Sequence, residues 1–375
     1  MKQEMIALIL TGDIESKSEK LIQAFTKPTV CLGGKYRAID FTLSNCANSM
    51  IKKVAILSQH EPAFLSEYVG NGHKWGLDAN GYSCVLLTPY KKGNNTYFYD
   101  GSADAIYKHL SYIKQYEPDY VLVTKANDIY KMDYSRMLHY HKSKNADVTI
   151  SMISVPSKEI SDCYYMSIDK EYKITEFANK KGKNKEVNVS MGVYIFKYSV
   201  LKKYLKSEIT NLARKTHEID EHIIPDIIYD NCKIYAYPFE GYWKDISTID
   251  SLWQANMDLL KDDKLNLLKR KSNWKIYTED SLSTPQYISP KANISKSIIN
   301  QGCLVEGEVK NSILSNDVKI GKNAKIIDSI ILPGCVIQEG AVVKKCIIGN
   351  NTIILKNEKI NKENKLVTVV TGGVK

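Results

Sequence analysis

The 375-residue sequence lacks the features that mark membrane proteins, disulfide-rich secreted proteins and zinc-binding proteins. No apolar run reaches the roughly 18 residues that a membrane span needs, and no basic segment precedes the short apolar run near the N-terminus. We therefore expect no membrane span and no signal peptide. The cysteines form no CxxC pair and have no histidines at metal-ligand spacing, which predicts reduced thiols and a cytoplasmic location. They are Cys31, Cys46, Cys84, Cys163, Cys232, Cys303, Cys335 and Cys346.

The sequence is basic, but it has no run of arginines and aromatic residues of the kind that binds nucleic acid. Its net charge is +10, from 52 Lys and Arg against 42 Asp and Glu. This excess is typical of a lysine-rich solvated surface, and the functional alternative is a face that binds a phosphorylated metabolite. We expect neither a nucleic-acid partner nor a membrane partner.

Residues 1–250 alternate short apolar runs of strand length with segments of helical periodicity. The apolar runs are MIALIL, KKVAILS, DYVLVTK and DVTISMISV, and the helical segments are FTLSNCANSMI, ADAIYKHLSYIKQY and YSRMLHYHKSK. This alternation predicts an α/β domain with a mostly parallel, Rossmann-like sheet. Because ligands of such sheets bind at the carboxyl ends of the strands, Gly12, Asn127 and Asp128 are expected at the ligand edge.

A different pattern follows a predicted helix, SLWQANMDLL, and a polar, lysine-rich connection over residues 251–283. Aliphatic residues then recur every six positions in two series, which predicts a parallel β-helix of hexapeptide repeats over residues 284–375. The first series is Leu314, Ile320, Ile326 and Leu332, and the second, after a slip, is Val336, Val342, Ile348 and Ile354.

Several longer strings accompany this repeat: KPTVCLGGKYRAIDFTLSNCANS, FYDGSADAIYKHL, DIYKMDYSRMLHYHKSKNADVTI, SMGVYIF and GYWKDISTIDSLWQAN. With the repeat, they make the chain similar over nearly its whole length to the bacterial glucose-1-phosphate adenylyltransferases, also called ADP-glucose pyrophosphorylases. The resemblance implies a nucleotidyltransferase domain and a left-handed β-helix. It also implies synthesis of ADP-glucose and pyrophosphate from ATP and glucose 1-phosphate for glycogen, and allosterically controlled tetramers.

The loop after the first strand departs from the pattern of that family, which has two glycines, one residue, a glycine, one residue and then Arg-Leu. In the segment GDIESKS only Gly12 is kept; Asp13 and Glu15 replace glycines, Lys17 replaces Arg, and Ser18 replaces Leu. At about 4 Å and an effective dielectric constant near 20, each contact between like charges costs about 4 kcal/mol. We therefore expect that this loop no longer holds a triphosphate as the family does.

The metal site that the resemblance implies is altered as well. The family carries Gly-Asp-His before IYKMDY, and its Asp holds Mg²⁺ together with a later Asp. Here Asn127 replaces that first Asp, Asp128 replaces His, and Asp245 matches the later Asp. Asn offers only a neutral oxygen, and adjacent side chains on a strand point to opposite sides, so Asp128 would need a bulge to replace it. If the chain is active, Lys17 and Asp245 are its predicted catalytic residues, and Mg²⁺ is its cofactor.

The sugar-phosphate pocket implied by the resemblance is partly kept. Lys180 matches the phosphate-binding Lys of the family, and Ser190, Tyr99 and Asp104 match further pocket positions, whereas Asn179 replaces a Glu. The substituted pocket position Tyr164 carries a bulky ring where the family has glycine. We take Tyr99, Asp104, Asn179, Lys180 and Ser190 as the candidate substrate-binding residues.

Three hypotheses remain open, because the changes gather at the site whereas the scaffold strings survive. The chain is a catalytically impaired regulatory subunit that assembles with an active homologue, an active adenylyltransferase with a rearranged metal site, or a module that senses a sugar phosphate or sugar nucleotide. Its possible partners are that homologue or further copies of itself in a tetramer. Its possible ligands are ATP, glucose 1-phosphate, ADP-glucose and an anionic metabolite effector.

Overall fold

The structure, a computed structural model, describes residues 3–12, 29–59, 62–89, 91–92, 95–96, 98–157, 163–179, 185–211, 213–261, 265–267, 273–361, 363 and 366–372. The described chain divides into two compact units. One comprises residues 3–12, 42–126 and 131–241, and the other comprises residues 29–41, 127–130 and 242–372. No described helix is long and apolar enough to cross a membrane.

The elements up to residue 261 are β1 Met5–Leu10, β2 Cys31–Leu32, β3 Tyr36–Arg37, α1 Ala38–Asn48, β4 Lys53–Leu57, α2 Pro62–Val69, β5 Ser83–Leu87, β6 Lys91–Lys92, β7 Asn95–Thr96, α3 Ser102–Lys108, α4 Leu110–Lys114, β8 Tyr120–Lys125, β9 Asp128–Tyr130, α5 Tyr134–Ser143, β10 Val148–Pro156, β11 Tyr165–Ile168, β12 Ile174–Ala178, β13 Glu186–Lys197, α6 Tyr198–Ile209, α7 Ile224–Tyr229, β14 Ile234–Pro238, β15 Trp243–Asp245 and α8 Ile249–Lys261. A short 3₁₀ helix at His73–Trp75 and a π-helical turn at Ile219–Ile223 complete this part of the described chain.

The first unit is built on one large sheet with the strand order β12-β11-β13-β8-β1-β4-β5, and β10 and β14 extend it beside β13. Strands β8, β1, β4 and β5 run parallel, and β13 is antiparallel to β8. Every residue of β1 is buried, as expected for a parallel strand covered on both faces. The predicted α/β fold with a mostly parallel sheet is confirmed, with an antiparallel strand inserted at β13.

Strands β1 and β8 end side by side at the edge of the sheet where ligands are expected. Leu10 is the register partner of Lys125, and the backbone N–H of Ala126 donates to the Leu10 carbonyl at 3.0 Å. The chain turns away immediately after each strand, at Gly12 and at Ala126 respectively. Gly12 has a positive φ of 78°, a conformation that glycine adopts without steric cost.

The predicted helix over residues 103–116 is broken at His109, between α3 and α4. His109 has φ −107° and ψ 18°, which is not helical, and the ring of Tyr99 packs edge-on against its imidazole. The hydroxyl of Tyr99 lies 2.7 Å from His109 Nε2. This tertiary contact holds His109 out of helical geometry, which the periodicity of the sequence does not reveal.

The second unit contains three five-stranded parallel sheets, which stack as the sides of a β-helix. Their strands are β16 Tyr287–Ile288, β17 Asn293–Ser295, β18 Ile298–Ile299, β19 Leu304–Val305, β20 Glu308–Lys310, β21 Ile313–Leu314, β22 Lys319–Ile320, β23 Lys325–Ile327, β24 Ile330–Ile331, β25 Val336–Ile337, β26 Val342–Lys344, β27 Cys346–Ile348, β28 Ile353–Ile354, β29 Lys359–Ile360 and β30 Thr368–Val370. The predicted parallel β-helix is therefore confirmed.

The register of the coils corrects part of the aliphatic series. Lys325 pairs with Val342 and Val342 with Lys359, so a coil here spans 17 residues, one fewer than three hexads. Successive interior residues are therefore separated by six, six and then five residues. The buried interior series is Leu314, Ile320, Ile326, Ile331, Ile337, Val343, Ile348 and Ile354. Leu332 packs instead in a cluster with α8, and Val336 and Val342 are only half-buried.

Candidate functional site

The segments β9 and β15 form a two-stranded antiparallel ribbon that carries the candidate metal residues. Asp245 is the register partner of Asp128, and the backbone N–H of Ile246 donates to the carbonyl of Asn127 at 3.3 Å. Side chains of directly opposed residues share one face of an antiparallel pair. Asp128 and Asp245 therefore share a face without any bulge, a relation that alternation along a single strand could not reveal.

Both carboxylates of the ribbon already accept hydrogen bonds from the protein. Asp245 accepts from the backbone N–H of Ser247 at 2.7 Å and from its hydroxyl at 3.0 Å, one bond to each oxygen. Asp128 accepts from the indole N–H of Trp243 at 3.2 Å, and it is only 4% exposed. The ribbon thus holds its two carboxylates by internal hydrogen bonds.

These residues do not fit the magnesium site that the resemblance implies. Mg²⁺ in nucleotide sites is held by one or two carboxylates together with substrate phosphates and water. Asn127, at the family's ligand position, has a neutral side chain, and Asp128 is buried against Trp243. Asp245 is the one partly exposed carboxylate of the ribbon. Within the described part of the chain, no group of three or more His, Cys, Asp or Glu side chains is placed to hold a metal ion.

The phosphate-loop residues Asp13, Glu15 and Lys17 and the pocket residue Lys180 lie outside the described residues. Their roles stay predictions from the sequence. Asn179 is described, and it lies exposed directly after the end of β12.

Ser190 lies in a chain of polar contacts at the kink of β13. Its hydroxyl accepts from the backbone N–H of Gly192 at 3.1 Å and lies 3.4 Å from the hydroxyl of Tyr194. Tyr194 in turn donates to Asp220, whose other carboxylate oxygen lies 3.4 Å from Lys125 Nζ. Burial, followed by the neighbouring Asp220 carboxylate, raises the pKa of Tyr194 well above its usual value, so Tyr194 stays a hydrogen-bond donor.

Sequence reasoning did not single out Lys125, Tyr194 or Asp220 as members of this chain of contacts. Lys125 is the last residue of β8, so attention to strand ends could have found it, and Tyr194 is part of the string SMGVYIF that carries the resemblance. Asp220 lies 95 residues from Lys125 in sequence, and only folding brings them together. Gly192 is required beside them, because a Cβ there would lie 3.0 Å from Cδ of Lys125, and its φ is +67°.

Tyr164, the predicted bulky intrusion, stacks on Phe177 with ring centroids 5.0 Å apart and planes within 8° of parallel. Its carbonyl accepts from the backbone N–H of Ser190 at 2.9 Å. Burial, and after it the nearby Asp220 and Glu221 carboxylates, raise the pKa of the Tyr164 phenol. Tyr164 thus pairs with Ser190 through its backbone, and its uncharged ring packs on Phe177.

Tyr99 and Asp104 are held in the interior of the first unit. Tyr99 is 8% exposed and its hydroxyl meets His109. Asp104 is 5% exposed, accepts from the backbone N–H of Asp100 at 2.9 Å and forms an ion pair with Lys108. Both residues make internal contacts that stabilise the segment 98–104. Their contact with substrate stays a prediction from the sequence.

Comparison with known proteins agrees with this fold. Residues 6–262 match the nucleotidyl transferase family, and residues 286–370 match the GlmU-like C-terminal hexapeptide family. Fold and family matches together define a member of the nucleotidyl transferase family that carries a hexapeptide-repeat β-helix.

The most informative relatives come from Bacillus. Glucose-1-phosphate adenylyltransferases of Bacillus cereus, Bacillus thuringiensis and Bacillus anthracis are each 43% identical to the chain over 370 residues, which is 98% of this chain and 98% of each relative. The chain belongs to the glucose-1-phosphate adenylyltransferase family.

Proposed function

We propose that the chain is a catalytically impaired member of this family that acts in ADP-glucose and glycogen synthesis as the regulatory subunit of an active homologue. The observation that carries the proposal is the ribbon of β9 and β15. It presents a neutral Asn127, an Asp128 buried against an indole, and a single partly exposed carboxylate, Asp245. A nucleotidyl transfer reaction needs cations to offset the charge that develops on the phosphates, and this ribbon is poorly equipped to hold one.

The phosphate loop supports the same proposal from the sequence. Carboxylates at Asp13 and Glu15 repel a triphosphate at the positions where glycine N–H groups would bind it. Lys17 supplies a point charge in place of the two-pronged guanidinium of Arg. The loop and the ribbon are separate in sequence, and both changes disfavour binding of a metal–triphosphate complex.

The retained polar chain at Ser190 supports a remaining role in ligand binding. The Ser190 hydroxyl and the Asp220 carboxylate are groups that hydrogen-bond sugar hydroxyls, and the buried Tyr194 joins them. Glucose 1-phosphate and ADP-glucose are the ligands that we propose for it, with an anionic metabolite as effector of the assembly and the cytoplasm as its location.

Co-expression with an active adenylyltransferase from the same cell tests the proposal. We expect the two chains to copurify, and we expect the response of the active partner to anionic metabolites to shift when this chain is present. We also expect the purified chain alone to release no pyrophosphate from ATP and glucose 1-phosphate above a blank. Turnover by the chain alone at the rate of an active homologue would refute the proposal.

A second candidate function is favoured by the ribbon register. Because Asp128 lies directly opposite Asp245, the two carboxylates could serve an active adenylyltransferase as its metal ligands. Under this alternative, Asp128→Asn abolishes pyrophosphate release, whereas under the first proposal there is no release to lose. Glu240→Gln, an exposed carboxylate just before the ribbon, is the matched control and leaves the rate unchanged.

A further inference from the structure

On one outer face of the β-helix, the register of the strands aligns several lysines in two columns. In the sheet β17-β20-β23-β26-β29, the outward column Glu308, Lys325, Val342, Lys359 lies beside a second outward column Lys310, Ile327, Lys344. Residues between the columns, such as Ile326 and Val343, are buried in the interior. The 17-residue coil therefore determines which side chains meet on this face.

A groove of about 510 Å³ lies on this face, a size typical of small-molecule sites. It is lined by Glu308, Lys325, Ile327, Val342, Lys344, Lys359 and Ile360. Strand spacing sets Lys325 and Lys359 about 10 Å apart at their Cα atoms, with Lys344 about 8 Å from each. The three lysines thus line the groove together with the aliphatic side chains of Ile327 and Val342.

The groove carries more positive than negative charge. Three lysines face one acidic residue, Glu308, whose carboxylate lies 3.7 Å from Lys325 Nζ. Among the described residues, Lys344 and Lys359 form no ion pair; Lys344 is half-buried and Lys359 is exposed. Because like charges held on a rigid sheet repel each other, an anion that bridges Lys344 and Lys359 relieves this repulsion.

We propose that this groove binds a small organic phosphate, with the dianionic phosphate group between Lys325, Lys344 and Lys359 and the carbon skeleton on Ile327 and Val342. Lysine binds phosphate as a flexible point charge, and three of them suit its several oxygens. The rigid coil holds their backbones in place before binding, which lowers the ordering cost. The site lies wholly within the β-helix and uses no residue of the candidate nucleotidyl transferase site.

Calorimetry on the full-length chain with inorganic phosphate, phenyl phosphate and phenol as probes tests this site. We expect phenyl phosphate to bind more tightly than phosphate, and phenol not to bind. The double variant Lys344→Gln, Lys359→Gln should weaken both anions by roughly fivefold or more. Val342→Thr keeps the shape of the side chain but adds a hydroxyl; it should reduce the advantage of phenyl phosphate over phosphate and leave phosphate binding unchanged.

Lys319→Gln is the control for loss of a surface lysine, because Lys319 is exposed on a different outer face of the same β-helix; it removes one positive charge, half the change of the double variant. It should alter affinity less than about twofold. Lysine acylation read by mass spectrometry locates the site independently of affinity, and phenyl phosphate should protect Lys325, Lys344 and Lys359. Equal weakening by Lys319→Gln, or protection confined to lysines elsewhere, would overturn the proposal.

Discussion

At the scale of single residues, burial keeps the imidazole of His141 uncharged. His141, on α5, is fully buried, and its Nδ1 lies 2.8 Å from the hydroxyl of Thr149 on β10. Burial, and after it the charge of Lys197, lower the pKa of His141 from 6.5 to about 4. The folded protein therefore holds this imidazole neutral at a pH where the unfolded chain would already protonate it.

This depressed pKa predicts a loss of stability in acid. The unfolded state binds the extra proton below about pH 6.5, so the contribution of His141 is complete above that pH and is lost as the pH falls toward 4. The loss amounts to about 3 kcal/mol at most. Urea unfolding at pH 7 and pH 4.5 should show a smaller pH dependence for His141→Gln than for the unchanged protein. The exposed His139→Gln on the same helix should leave the pH dependence as it was.

At the scale of elements, coil length decides which residues of the β-helix are interior. The hexad reading put Val342 inside, but the 17-residue coil puts its neighbour Val343 there, fully buried, and leaves Val342 half-exposed. Two sides of each 17-residue coil follow the period of six, and the third side is one residue shorter. This shorter side shifts the register of the residues that follow it. The same sequence pattern therefore predicted the fold correctly and three of its eight interior positions incorrectly.

These adjacent valines offer a matched test on one strand, β26. Val343→Ala removes buried methyl groups and leaves a cavity, so it should reduce the free energy of unfolding by about 2 kcal/mol. Val342→Ala should cost less than about 1 kcal/mol, because its side chain already meets solvent. Denaturant unfolding followed by circular dichroism measures both. A larger loss for Val342→Ala would contradict the register.

At the scale of the whole molecule, the fold and most of the length of the family are kept, and we propose that the chemistry of the site has changed. The family matches span residues 6–262 and 286–370, and identity to the relatives is 43% over 98% of the chain. The departures that the resemblance predicts for phosphate chemistry lie in two places, the loop after β1 and the position Asn127 beside the ribbon. The domain boundaries near residues 250 and 284 stay predictions.

If the loop after β1 and Asn127 each impair the reaction, restoring one of them alone should not restore activity. Asn127→Asp returns a metal ligand but leaves the acidic loop, and the loop changes Asp13→Gly, Glu15→Gly, Lys17→Arg and Ser18→Leu leave a neutral ribbon. We expect each set alone to give no pyrophosphate release above a blank, and the combination to give measurable release from ATP and glucose 1-phosphate. Asn188→Asp, a change of the same type on the first unit, added to the loop changes is the control for charge alone. Activity of the unchanged protein, or rescue by Asn127→Asp alone, would contradict two independent lesions.

The sequence by itself determined the two architectures, because alternation of apolar strands with helices and a six-residue aliphatic period each match one way of burying apolar surface. From the sequence we also predict that Asn127, Asp13 and Glu15, which depart from the family pattern, follow strands. Only the tertiary structure decided that Asp128 faces Asp245, that Asp220 joins Lys125 and Tyr194, and that Val343 is interior where Val342 is not. Each of these depends on pairing between distant segments, and register between strands is fixed by packing across the fold, not by the pattern within one strand.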